Sequence, residues 1–115
     1  MEIETNKTKH DVFVGNQVGQ KLESAFHIGY ALKYENLKYY ILKLWPFPNV
    51  TYYLSMNRDS SDKFTIFTKK VETEASVHFQ NPVGYAVLRG DLKDYLEINL
   101  RLPKQKVYMS IYPSN

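Results

Sequence analysis

The sequence carries a partial copy of itself, and this echo constrains the fold more than any other feature. Val83-Gly84-Tyr85-Ala86, then Leu92-Lys93, Tyr95 and Pro103, repeats Ile28-Gly29-Tyr30-Ala31, Leu37-Lys38, Tyr40 and Pro48 at a constant spacing of 55. Tyr53 with Tyr108 and Ser55 with Ser110 extend the match. Without a gap, residues 28–57 agree with 83–112 at nine of thirty positions; chance would give about two. A chain of 115 residues makes one ordinary domain. The duplication therefore has to lie inside a single fold, as units of approximately 11–57 and 66–112.

Each unit reads as strands. Tyr, Phe, Val, Ile and Thr are abundant and the apolar runs are short, which points to a mainly β domain. Val12-Phe13-Val14 reads as a first strand. Ile28–Tyr34, Lys38–Trp45 and Val50–Met56 follow as a three-stranded meander, with turns at Glu35-Asn36 and Pro46-Phe47-Pro48-Asn49. The polar stretch from Asn57 to Asp62 is a loop between halves, after which Phe64–Thr68, Val83–Leu88, Tyr95–Leu102 and Val107–Tyr112 repeat the pattern. Residues 15–26 and 70–81 are ambiguous, and Met1 to Lys9 reads as a frayed end. The expected fold is all-β: two repeated antiparallel meanders packed as a small sandwich or barrel with pseudo-twofold symmetry.

The two copies calibrate each other's faces. Leu96, Ile98, Leu100 and Leu102 alternate with Tyr95, Glu97, Asn99 and Arg101, so the first set faces the core. Mapped back by 55, the core face of the first copy is Ile41, Lys43, Trp45 and Phe47, and its outward face is Tyr40, Leu42 and Leu44. In the next strand the alternation puts Tyr52, Leu54 and Met56 inward and Tyr53 outward. Lys43 at a core position is a misfit that needs snorkelling or a shifted register.

Little in the chain speaks for catalysis. There is no cysteine, and His10, His27 and His78 lack the spacing of a metal cluster. Glu72 with Glu74, or Asp59 with Asp62, has no supporting element for acid and base work, and no phosphate loop or nucleophile elbow occurs. No enzyme activity, cofactor or metal is expected. No apolar run is long enough to span a bilayer and no signal peptide is evident, so the expected address is cytoplasmic, without a membrane partner. A net charge of +3 mildly favours an acidic partner.

The repeated unit, mainly Val83-Gly84-Tyr85-Ala86 followed by Tyr95-Leu96 and Pro103, resembles the C-terminal part of a small uncharacterised family encoded on conjugative plasmids and integrative elements. Ile28-Gly29-Tyr30-Ala31 and Tyr40-Ile41-Leu42-Lys43-Leu44 resemble it too. The resemblance implies a mobile-element setting and a small β fold, with no catalytic residues to carry over.

Two functions are consistent with these features. The first is a non-enzymatic protein-binding module, such as a small inhibitor or accessory factor of a phage or other mobile element, using an apolar outer patch of Tyr40, Leu42, Leu44 and Tyr53. The second is a single-stranded nucleic-acid-binding β domain, in which Lys38, Tyr39, Lys43 and Trp45 interleave cations with rings. The protein partner's identity is not legible, and a homodimer is compatible with either.

Overall fold

The computed structural model describes residues 6–19, 21–90, 92–101 and 104–113. Among them there is no helix. The chain runs through β1 (Lys7–Val18), β2 (Lys21–Tyr34), β3 (Tyr39–Leu44), β4 (Tyr52–Met56), β5 (Lys63–Glu72), β6 (Val77–Arg89), β7 (Tyr95–Arg101) and β8 (Lys104–Ser110). Each strand pairs antiparallel with the next, and β8 returns to β1, so the sheet closes into a barrel. Closure removes the exposed edges that an open meander would leave.

Alternation fills the barrel. Leu96, Ile98 and Leu100 of β7, Leu42 and Leu44 of β3, Tyr52 and Leu54 of β4, and Val107 and Met109 of β8 are all buried inside. β2 and β6 contribute Gly29 with Ala31 and Gly84 with Ala86 at the matching inward positions. Small residues there make room for the leucines of their neighbours, so the interior is packed with side chains. The outward side of β7 carries Glu97, Asn99 and Arg101, whereas a lipid-facing strand would be apolar there. No helix among the described residues is long and apolar enough to cross a membrane.

The register of the first four strands recurs in the last four. Val12 pairs with Gly29 as Ile66 pairs with Gly84, and in both cases the ladder then skips one residue, Ile28 or Val83, as a bulge before the glycine. Gly29 lies opposite Leu44 and Gly84 opposite Leu100. Leu42 pairs with Tyr52 as Ile98 pairs with Val107. The junction of β4 with β5, Leu54 opposite Ile66, matches the closing seam, Met109 opposite Val12.

These pairings correct the expected faces of β3. Leu42 and Leu44 point inward and are 0% and 1% exposed, while Lys43 and Trp45 point out, with Trp45 51% exposed. Tyr40 also lies on the inner side, where it packs against the core and meets His10 and Phe64 edge-on. The cause is hairpin length. Four residues, 35–38, join β2 to β3, whereas five, 90–94, join β6 to β7. The spacing between β3 and β7 is therefore 56, and a slip of one residue exchanges the two faces of a strand. Met56 needs correcting as well: at the end of β4 it is 47% exposed. Tyr52 and Leu54 are inward as expected.

Of the ambiguous segments, residues 15–18, 21–26, 70–72 and 77–81 are in strands. They form the outer ends of the β1–β2 and β5–β6 hairpins, beyond the bulges. The β5–β6 arm brings Phe79 onto Phe67 and against Tyr39 and Tyr53, at centroid separations of 5.5, 5.0 and 5.7 Å. Order at the N-terminus also begins before His10, because Lys7 to Lys9 pair with Leu32 to Tyr34.

Among the described residues the closing seam has Val12–Met109 and Phe13–Tyr108 as its register pairs. His10, 3% exposed, extends it: Nδ1 donates to the Ser110 carbonyl at 2.9 Å, and Nε2 accepts from the Thr8 hydroxyl at 2.9 Å. Burial lowers its pKa from the ordinary 6.5, against the opposing pull of the Ser110 carbonyl and Asp11. The unfolded chain thus takes up this proton first as pH falls. The contribution of neutral His10 is fully present above pH 6.5 and is lost as the pH drops through its lowered folded-state pKa. The urea midpoint of the wild type is expected to fall more between pH 7.5 and 5 than that of His10→Gln, and equal falls in the two proteins would exclude His10 as the cause.

Candidate functional site

With Leu42 and Leu44 inside, β3 presents Tyr39, Ile41 and Lys43 outward, followed by Trp45. The Trp45 N–H donates to the Ile28 carbonyl at 2.9 Å, which carries the β2–β3 ladder one step beyond Gly29 and Leu44 and fixes the Trp45 main chain at the strand end. The chain then turns: Phe47 N–H donates to Leu44 O and Val50 N–H to Phe47 O. Tyr30, Lys43, Leu44, Trp45 and Pro48 together line a groove of about 210 Å³ on the outer wall. Lys43 donates through Nζ to Thr51 Oγ1 at 2.8 Å, a neutral partner that orients the ammonium without cancelling its charge. Lys9 Nζ lies 5.2 Å from the centre of the Tyr30 ring. On the other side of Trp45, His27 packs against the indole at 4.7 Å and against Phe13 at 5.2 Å, with its Nε2 3.2 Å from Asp11 Oδ1.

A second groove, of about 570 Å³, occupies the corresponding place on β6, β7 and β8 and is lined by Tyr85, Asn99, Leu100, Arg101, Lys104, Gln105 and Lys106. The pairings relate the two grooves directly. Tyr30 faces Lys43 as Tyr85 faces Asn99, and each groove lies beside the inward leucine, Leu44 or Leu100, that is opposite a glycine. No family model, curated protein or solved structure matches this chain.

The residues expected to capture a protein are not brought together on the surface. Tyr40, Leu42 and Leu44 are on the inner side of β3. Tyr53 is outward but half-buried under the β5–β6 arm, with Lys70 Nζ 5.7 Å from its ring centre. Of the residues expected to meet nucleic acid, Lys43 and Trp45 share the first groove. Lys38 is exposed in the β2–β3 turn. Tyr39 faces out but is only 7% exposed, because Phe79 covers it and Lys70 reaches its hydroxyl at 3.4 Å. Tyr30, Tyr85, Arg101 and Lys104 are additions from the structure. The two tyrosines could have been found, since they are repeat identities whose neighbours Gly and Ala have to face inward.

Among the described residues no group of three or more His, Asp or Glu is placed to hold a metal ion. What the grooves offer is ring faces, cations and amides. Such groups suit stacking and contacts to anions.

Proposed function

We propose that this chain is a non-enzymatic β-barrel module that binds single-stranded nucleic acid on its outer wall, and that the barrel is two copies of one four-strand unit related by a pseudo-twofold axis. The observation that carries the binding reading is the juxtaposition of half-exposed Trp45 with the partly buried Tyr30 and Lys43 in one groove, with Lys9 over the tyrosine. Rings able to stack on bases stand next to cations able to meet the adjoining phosphates, which is what sequence-tolerant binding of a single strand requires. The duplication is supported by the recurrence of all four strand junctions, by the two bulges before Gly29 and Gly84, and by the ring pairs Tyr39–Tyr53 and Tyr95–Tyr108, both with centroids 6.1 Å apart. Together with the resemblance of the repeated unit to a plasmid-borne family, this reading makes the protein an accessory factor of a mobile element, acting in the cytoplasm.

Trp45 is the single tryptophan of the chain, so its emission reports on this groove alone. Titration with an unlabelled thymidylate oligonucleotide at low salt is expected to quench it. Affinity should weaken with salt by a log–log slope of roughly 0.7 per phosphate neutralised. Trp45→Ala should cost about 1–3 kcal/mol of binding at this groove, the usual worth of one stacked base. Unchanged emission together with no binding of a labelled oligonucleotide at low salt would exclude the reading.

A further inference from the structure

The larger groove over Tyr85 presents a combination that folding alone does not explain. Arg101 and Lys104 are direct cross-strand partners at the end of the β7–β8 hairpin. Like charges placed opposite each other in a ladder oppose the pairing. Neither has an ion-pair partner among the described residues, whereas Lys106, farther along β8, lies 3.7 Å from Glu97 Oε1. Beside this charge Tyr85 is 48% exposed, a large ring left in water in the same groove, with Asn99 as its direct cross-strand partner.

An anion between Arg101 and Lys104 would relieve their repulsion, and a flat apolar surface would cover Tyr85. A nucleotide within a strand supplies both, with its phosphate and base held at a fixed separation. The Asn99 amide adds a donor and an acceptor for base edges or sugar hydroxyls. The cations weight this groove towards phosphate, whereas Trp45 weights the first towards stacking.

We propose that the Tyr85–Arg101–Lys104 groove is a second binding site for a single-stranded segment, so that one chain holds two segments on separate faces of the barrel. The inference rests on the nucleic-acid reading of the Trp45 groove. It adds a stoichiometry, and with it the capacity to bridge two strands or two stretches of one strand, where linkage between sites raises overall affinity without new contacts.

The test uses the full chain and a labelled thymidylate oligonucleotide about five nucleotides long, near the lower end of single-strand site sizes. The wild type is expected to bind two oligonucleotides. Arg101→Gln/Lys104→Gln should bind one, with full quenching of Trp45, and its melting temperature without ligand should not be lower than that of the wild type, since the substitution removes a facing like-charge pair. Trp45→Ala should also retain one site, now sensitive to the glutamine pair. A wild-type stoichiometry of one, with Trp45 quenched and the glutamine variant unaffected, would overturn the second site and leave the first standing. Equal weakening of both sites in the glutamine variant would also overturn it, because the two cations would then act only through net charge. Absence of any binding would remove both proposals.

Discussion

The double variant Leu42→Glu/Leu44→Asn is expected to be unfolded. Both leucines are inside the barrel at 0% and 1% exposure, in the same cluster as Ala31, Tyr52, Leu54 and Ile98. Truncating one such leucine to alanine costs about 2–5 kcal/mol. Leaving a polar group there without partners adds about 1–3 kcal/mol, and more for a carboxylate. A domain of this size has about 5–15 kcal/mol in total, so two such changes in adjacent inward positions exceed what it can lose. Circular dichroism and urea titration of the double variant should show no cooperative transition, whereas Lys43→Ala, between the two sites but outward, should unfold with the wild-type slope and within about 1 kcal/mol. Cooperative unfolding of the double variant near the wild-type midpoint would mean that β3 is turned the other way.

That variant separates two readings of one strand, and the reason the choice is hard from sequence is a single residue. An ungapped alignment of the halves places Leu42 opposite Glu97 and Leu44 opposite Asn99, which makes both leucines look dispensable for folding. The contradiction is already visible as Lys43 at a core position. One gap in the shorter β2–β3 turn puts Leu42 with Ile98, Lys43 with Asn99 and Leu44 with Leu100, and also aligns Tyr39 with Tyr95. The β class, the central parts of all eight strands and the inward positions Leu96, Ile98 and Leu100 of β7 are legible because strict alternation and punctuating Gly and Pro announce half-buried strands, while Leu102, expected inward with them, lies outside the described residues. The arms are not. Beyond the bulges they leave the barrel interior, and much of what they carry is exposed, so they lack the period that core packing imposes. The cover over Tyr39 and Tyr53 is equally hidden, since it depends on the β5–β6 arm bringing Phe79 back across them. Nor does the sequence show the two grooves, which exist because Tyr30 and Tyr85 stand one position after glycines at which the ladder slips.

Those glycines carry the second large effect. Gly29→Ala and Gly84→Ala are each expected to lower stability by roughly 3 kcal/mol, at the upper end of what overpacking costs. A Cβ at Gly29 would fall well inside contact distance of the Lys43 carbonyl oxygen and 3.0 Å from Leu44 Cα; at Gly84 it would meet the Asn99 carbonyl oxygen in the same way and lie 3.1 Å from Leu100 Cα. The obstacle is main chain in both cases, so no rotamer change can relieve it, and the β2–β3 or β6–β7 pair has to open along a strand whose other edge already carries the bulge. For a chain of this length the loss corresponds to a fall in melting temperature of roughly 10–15 °C. Because the two glycines are on different strands and oppose different partners, their effects should add to about 6 kcal/mol, a large share of the total stability of a domain of this size. The comparison of the two single variants is the informative measurement. Equal losses are what two copies of one unit require, whereas a wild-type melting temperature in either would show that its strand pair yields to a methyl group and that the close approach at that glycine is not what sets the register.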